Sequence, residues 1–285
     1  MHLIIDGNNL MHRAYHALGT TDDGSHTFAV IGFINMVLSA IQGYKPEGVH
    51  ICWDTFPIGT NKRLEIYDQY KAKRDRDGEI YVQIQVARQV LDMANFCQYY
   101  VEGFEADDLL YTLSKQLRKD VIIITNDGDL MQAATETVGV TKIQFNFANR
   151  QVFYHKDVIN HYGMYPWQIL EYKSLAGDTS DNVPGCCIFN EDGKRNGIGE
   201  AWAKKLITYL VGIENIYQSV HYDPDRLKIT YGITQKIIDK LINGEKNARM
   251  SRELCALKDA GIVPDTGYYD LNNLHVAMRE RGIAR

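Results

Sequence analysis

Apolar residues fall along the chain in two rhythms. Leu3-Ile4-Ile5, Val49-His50-Ile51-Cys52-Trp53 and Val121-Ile122-Ile123-Ile124 are short, nearly uninterrupted runs, and an aspartate closes each segment: Asp6, Asp54 and Asp127. Near-continuous apolar strands belong to parallel sheets covered on both faces. Between these runs the apolar positions switch to a helical period. Phe28 to Gln42 carries Phe28, Ile31, Met36 and Leu38 in that way, and Ile80, Ile84, Ala87, Leu91 and Ala94 recur at alternating intervals. Leu109, Leu110, Leu113 and Leu117 follow within Asp107 to Arg118. This alternation predicts an α/β fold with a mostly parallel central sheet and helices on both faces. Beyond Pro166 no convincing strand pattern remains. Pro166–Leu175, Gly199–Val211, Thr234–Asn243 and Ala248–Leu257 read as helices, the first with proline at its start. The pattern therefore divides the chain into an α/β domain, residues 1–165, and a C-terminal all-helical domain, residues 166–285.

Composition narrows the class. With 285 residues, 45% hydrophobic and 24% charged, the chain is globular, as one large or two small domains. No apolar stretch approaches the roughly eighteen residues of a membrane span, and the opening Met-His-Leu-Ile-Ile-Asp-Gly lacks a secretory signal's charged and apolar regions. The cysteines Cys52, Cys97, Cys186, Cys187 and Cys255 have no metal-knuckle spacing, so reduced thiols and a cytoplasmic location are expected. A net charge of −5 argues, taken whole, against a nucleic-acid binder. The positions of the charges matter more than their sum.

In an open parallel sheet, ligands bind beyond the carboxyl ends of the strands. Asp6, Asp54 and Asp127 should converge there. Glu105-Ala-Asp107-Asp108 at a helix start and Asp127-Gly-Asp129 in a turn join them, and Asp178 and Asp181 follow the first C-terminal helix. Singly, such acids are usually helix caps or turn residues. Nine carboxylates meeting at one edge would repel one another severely unless cations neutralised them. Oxygen-only ligands suit Mg²⁺ or Mn²⁺, and two ions about 3.5–4 Å apart could drive phosphodiester hydrolysis. No Ser-His-Asp order, P-loop or histidine metal spacing competes with this reading.

Setting those nine acids aside leaves 31 basic against 27 acidic residues. Residues 62–76 hold Lys62, Arg63, Lys71, Lys73, Arg74 and Arg76. Arg63, Tyr67, Tyr70, Lys71 and Arg74 would share one face of a helix, a cationic and aromatic stripe suited to phosphates and stacked bases. The alternative is a solvated amphipathic helix whose tyrosines merely pack. Gly197-Ile198-Gly199 before Lys204 and Lys205 reads as a glycine turn opening a basic helix, able to hold a phosphate.

Together these segments resemble the flap-endonuclease-like 5′-nucleases, both the 5′-nuclease domain of bacterial DNA polymerase I and the free-standing phage enzymes. The likeness rests on Ile5-Asp6-Gly7-Asn8 with Arg13-Ala14-Tyr15-His16-Ala17, and on Arg63-Leu64-Glu65 through Tyr70-Lys71-Ala72-Lys73-Arg74. It continues through Val101 to Asp108, Thr125-Asn126-Asp127-Gly128-Asp129, Leu175 to Gly185 and Gly197-Ile198-Gly199. The resemblance implies that Asp6, Asp54, Glu105, Asp107 and Asp108 surround a first metal, and Asp127, Asp129, Asp178 and Asp181 a second. It implies that residues 62–76 form a helical arch in which Lys71 and Arg74 face the scissile phosphate and Tyr70 stacks on a base. Arg13, Arg63, Tyr67, Lys73 and Lys173 are its further expected DNA contacts. Gly197, Gly199, Lys204 and Lys205 are expected in a helix-turn-helix-type motif gripping duplex, in some members through K⁺. One departure stands out: Cys186 to Asn196 intervenes between Asp-Asn-Val-Pro-Gly and Gly-Ile-Gly, lengthening that turn.

The expectation is thus a Mg²⁺-dependent 5′-nuclease, exonuclease and flap endonuclease, monomeric, acting on branched or 5′-ended DNA in replication or repair and leaving 5′-phosphates. The 5′ polarity and the flap preference come from the resemblance alone. An aspartate-nucleophile phosphatase would want an acid at position 8, which is Asn8. An RNA-directed metal nuclease and a catalytically silent DNA-binding protein are the remaining alternatives.

Overall fold

The computed structural model describes residues 1–18, 28–55, 61–73, 78–117, 119–141 and 151–283. Its chain forms two compact units that interleave in sequence. Unit 1 comprises Met1–Asn61, Arg76–Val158 and Leu257–Arg285, and unit 2 comprises Lys62–Asp75 and Ile159–Ala256.

Unit 1 is built on six strands: β1 (His2–Asp6), β2 (Gly48–Cys52), β3 (Cys97–Tyr99), β4 (Val121–Ile124), β5 (Val138–Thr141) and β6 (Val152–Phe153). They lie in the order β3-β2-β1-β4-β5-β6. Every pairing is parallel except that of β5 with β6. Side chains alternate across a strand. Leu3, Ile5, Val49, Ile51, Ile122 and Ile124 therefore enter one core. That core is shared with α1 (Gly7–Leu18), α2 (Phe28–Tyr44), α4 (Gly78–Met93) and α12 (Leu271–Glu280). The intervening residues Ile4, His50, Cys52 and Ile123 are buried as well, and α5 (Ala106–Gln116) packs against β1, β2 and β4. With both faces covered, the central strands have no room for polar alternation, which is why they read as unbroken apolar runs.

Unit 2 is mainly helical, with α3 (Arg63–Ile66), α7 (Gln168–Ala176), α8 (Glu200–Leu210), α9 (Ile213–Tyr222), α10 (Pro224–Tyr231) and α11 (Gln235–Cys255). The remaining helix α6 (His155–Tyr162) runs across the division at Val158. Local signals explain several ends. Asp223 caps α10 by accepting from Arg226 N, Pro224 starts it, and Gly232 at φ 63° closes it. Leu206, Ile207, Ile213, Tyr217, Ile238 and Leu241 are among the residues of its core.

Four features differ from the sequence pattern, the first being that the helices read at Thr234–Asn243 and Ala248–Leu257 are one, α11. The stretch beyond Pro166 is not all helix: β7 (Cys187–Phe189) and β8 (Arg195–Gly197) pair as an antiparallel hairpin formed by the intervening segment. Two three-residue strands are too short to leave a periodic signal. The last stretch of chain belongs with the sheet, because Leu274, Ala277, Met278 and Ile283 pack into the unit 1 core. In residues 62–76, the described part is helical only over Arg63–Ile66 and continues as turns to Lys73, and Arg74 lies outside the described residues.

Candidate metal centre

The strand order reverses at β1, which has β2 and β3 on one side and β4 and β5 on the other. That switch point is where open α/β sheets bind ligands. Asp6 is the last residue of β1, Asp54 lies two residues past β2, and Asp127 three residues past β4. Gly7 lets the start of α1 pack closely on Trp53, since a Cβ would stand 2.5 Å from its ring.

A hydrogen-bond lattice holds these strand ends. Asp6 accepts from Asn9 N at 2.9 Å and from the Thr125 hydroxyl at 2.8 Å. Asn9 Oδ1 accepts from Asn126 N, and Asn8 Oδ1 from Asp54 N. Asp54 Oδ1 in turn accepts from Ala106 N in the first turn of α5, at 2.8 Å. The Thr125 hydroxyl accepts from Asp127 N, and Asp127 Oδ1 from Asp129 N. Three strand ends and α5 are thereby linked through the side chains of Asp6, Asn8, Asn9, Asp54 and Thr125. Asn9 escaped the sequence reading, and Asn8 and Thr125 entered it without a positioning role. An amide directly behind a strand-end aspartate, and a threonine two residues before another, are the signals that would have found them.

The electrostatics are unfavourable for carboxylates by themselves. Asp6 is 4% exposed. Burial, then the charges of Asp54 and Asp127, push its carboxyl up to about 7 against the pull of its two hydrogen bonds. The Cys52 thiol is driven up by burial and by Asp6 and Asp107, so the field of Asp107 reaches the same strand end. Half-buried Asp107, Asp127 and Asp129 complete the acidic edge. A buried carboxylate facing further acids, with no cation beside it among the described residues, fits a hard divalent cation with oxygen ligands. Among the described residues, no three acidic, histidine or cysteine side chains already stand together as a cage. Backbone N–H groups and the Thr125 hydroxyl occupy oxygens of Asp6, Asp54 and Asp127 instead.

Asp108 departs from its expected role. It is fully buried, with Oδ2 accepting from Glu105 N at 3.2 Å and Oδ1 from Lys258 N at 2.8 Å. The first bond is half of a capping box that closes the start of α5. Glu105, also buried, receives Asn61 Nδ2 at 2.7 Å.

Unit 2 holds its own acids with lysines. Asp178 Oδ2 meets Lys173 Nζ at 2.6 Å, and its Oδ1 accepts from Ser180 N and Oγ. Burial works to raise the Asp178 carboxyl, but the Lys173 charge and these bonds hold it well below the usual carboxylate range. Asp181 Oδ2 lies 3.7 Å from Lys71 Nζ and receives the Tyr70 hydroxyl at 3.4 Å. Lys71 N donates to Asp181 O, and Lys71 takes a left-handed φ of 55°.

The expected cationic stripe is dismantled by packing. Arg63 is 3% exposed and donates to Leu254 O at 2.8 Å and Ala256 O at 3.0 Å. Tyr70 is buried and Tyr67 packs beside it against Val183, Leu254 and Cys255. Both tyrosines pack, as the alternative has it, but beyond the end of the short helix, and the burial of Arg63 fits neither reading. Lys73 is exposed, Arg13 half-buried on α1, and Lys173 engaged by Asp178. Gly199, at φ 77°, precedes α8, whose exposed side presents Lys204, with Lys205 over the Trp202 and Tyr209 rings at 4.7 and 5.7 Å. Gly197 O already accepts Lys240 Nζ at 2.7 Å, so that carbonyl is taken as far as the K⁺ expectation is concerned.

The family model described as 5′-3′ exonuclease, N-terminal resolvase-like domain, matches residues 1–163, and the 5′-3′ exonuclease, C-terminal SAM fold, matches residues 164–273. The chain belongs to the 5′-3′ exonuclease family. A 5′-3′ exonuclease of Bacillus subtilis is 29% identical to this family member over 271 residues, 90% of this chain and 86% of that protein. DNA polymerase I of Caldicellulosiruptor bescii is 32% identical over 263 residues, 90% of this chain but 28% of the polymerase. The chain thus spans little more than a quarter of that relative. The T5 5′-exonuclease with zinc bound shares the fold, with a TM-score of 0.70 and 19% identity over 100% of both chains.

Proposed function

We propose that this 5′-3′ exonuclease-family protein is a divalent-metal-dependent 5′-nuclease. It hydrolyses phosphodiesters of 5′-ended and branched DNA, including flaps and RNA-primed ends, and leaves 5′-phosphate and 3′-hydroxyl products. The observation that carries this reading is buried Asp6 at the sheet's switch point, facing the charges of half-buried Asp54 and Asp127. Glu105, Asp107 and Asp129 would complete the ligands in unit 1, and Asp178 and Asp181 are the ligands proposed in unit 2. Mg²⁺, with Mn²⁺ able to replace it, would supply water activation and charge neutralisation at phosphorus. T5 5′-exonuclease has been seen with divalent zinc, and the catalytic core of Rad2 with a DNA substrate, which fits this choice of metal and partner.

The chain's own residues orient and neutralise. Asn8, Asn9 and Thr125 keep the carboxylates facing the strand ends. Lys71, and with it Arg74, would meet the charge that develops on the scissile phosphate. Lys204 and Lys205 on α8 would hold duplex backbone phosphates, which position DNA without reading its sequence. We place the protein in the cytoplasm, the host's if it is phage-encoded, as a monomer serving replication or repair.

The test is cleavage of a 5′-flap duplex labelled at either end, with Mg²⁺ and then with EDTA. Metal-dependent products from the 5′ side near the junction are expected. Tight binding without cleavage in Mg²⁺ or Mn²⁺ would replace the reading with a silent DNA-binding protein, and cleavage of RNA alone with an RNA-directed nuclease.

A further inference from the structure

Residues 257–270, between α11 and α12, contain no helix or strand. A backbone so long without its own ladder must find hydrogen bonds elsewhere, and structureless connections of this length usually have a function. Here α5, β3 and the turn after α4 provide them. Lys258 N donates to Asp108 Oδ1 at 2.8 Å and Ala260 N to Thr112 Oγ1 at 2.9 Å. Thr112 Oγ1 itself donates to the backbone carbonyl of Asp108 at 2.7 Å, so the two residues, one helical turn apart, hold adjoining N–H groups of the strap as one clamp. Further on, Asp265 N donates to the Tyr99 hydroxyl at 2.7 Å, and Asp270 N to Ala94 O at 2.8 Å. Asp108 and Thr112 are 0% and 1% exposed.

The clamp sits on the turn of α5 that presents the acidic knot. Asp108 Oδ2 holds Glu105 N, Ala106 N holds Asp54, and Asp107 follows directly. To reach an ion, Asp108 would have to leave two backbone N–H groups unpaired in a dry site, a loss that burial makes severe. We infer that Asp108 is a positioning residue and not a metal ligand: with Thr112 it clamps the 257–270 strap to α5 and so fixes Glu105, Asp107 and, through Ala106 N, Asp54 in the orientation in which they receive metal. This deepens the nuclease reading and rests on it for its catalytic arm. Partners of metal ligands of this kind are typically worth about 10–100-fold in affinity or activity.

Thr112→Val removes the hydroxyl with its shape nearly kept, and Thr112→Ser restores it. In full-length protein with a Mg²⁺ titration, Thr112→Val is expected to lower kcat about tenfold and raise the Mg²⁺ concentration at half-maximal rate several-fold. KM for a 5′-flap duplex should change less than about twofold, and Thr112→Ser should recover most of the rate. Amide hydrogen exchange of the metal-free protein should rise in both 105–112 and 257–270. Mn²⁺ binding supplies the arm that needs no activity: Asp108→Asn should keep the wild-type number of bound ions, and Asp107→Asn should lose one. Loss of an ion in Asp108→Asn would make it a ligand and overturn the inference. So would a Thr112→Val protein with faster strap exchange but an unchanged rate and Mg²⁺ requirement. A wild type that binds Mn²⁺ normally yet cuts no DNA would defeat the nuclease reading alone.

Discussion

Asp6 in unit 1 and Asp178 in unit 2 are the same residue type under opposite conditions. Asp6 is held by an amide N–H and a hydroxyl, faces the charges of Asp54 and Asp127, and has its carboxyl raised to about 7. Asp178 is gripped by Lys173 and driven far the other way. Burial penalises both charges, and only the second has a resident cation to offset it. Unit 1 is therefore the part of the molecule that gains most when a divalent cation arrives. In unit 2 a ligand role requires the lysine pairs to yield or be shared.

The largest effect that tests this contrast is on cleavage. Asp127→Ala should reduce flap cleavage by about a thousandfold or more, while DNA binding in Ca²⁺ persists; a variant cutting at the wild-type rate would take Asp127 out of the reaction. The next effect is on stability without metal. Because folding raises the Asp6 pKa, its contribution is full below the unfolded value of about 4 and is lost as pH rises through about 7. In EDTA at pH 8, Asp6→Asn should therefore stabilise the fold by a few kcal/mol, on the order expected from a shift of this size, and should do so far less at pH 5. Urea unfolding at the two pH values measures it, and equal gains at both would mean that Asp6 carries no such penalty.

Unit 2 should answer with the opposite sign. Lys173→Met strands a largely buried carboxylate and should cost about 1–3 kcal/mol near pH 7. Folding lowers the Asp178 pKa, so the loss belongs above the ordinary carboxylate pKa and fades as acid protonates the group. A stability change independent of pH would show that Lys173 acts through packing. The smallest effect is expected at the surface. Lys204→Ala should weaken duplex binding a few-fold at low salt, flatten its salt dependence, and leave Tm within about a degree. Equal weakening at all salt concentrations would sever Lys204 from the phosphate backbone.

How much of this was legible depends on how far apart in sequence the partners lie. Strand-end aspartates can be read locally, because a strand buried on both faces must be apolar until it leaves the sheet, and the first acid marks that exit. Asp223-Pro224 and Gly232, which start and stop α10 through bonds to near neighbours, are local signals of the same kind, though the apolar pattern did not mark that helix. Arg63 could not be read in this way. It carries the composition of a DNA contact, and what makes it a strut is two carbonyls at Leu254 and Ala256.

By itself, then, the amino-acid pattern determined the α/β core, the sheet edge where acids gather and the family, since these rest on period, strand ends and ordered motifs. Tertiary structure alone decided which acids face one another and which are used up. It sent Leu274, Ala277, Met278 and Ile283 into the unit 1 core, turned Asp108 into the anchor of a strap 150 residues away in sequence, and buried Tyr70 against Val183. The physical reason is that a carboxylate or a guanidinium has no fixed role of its own. Its function follows from the partners and the dielectric that the fold brings to it.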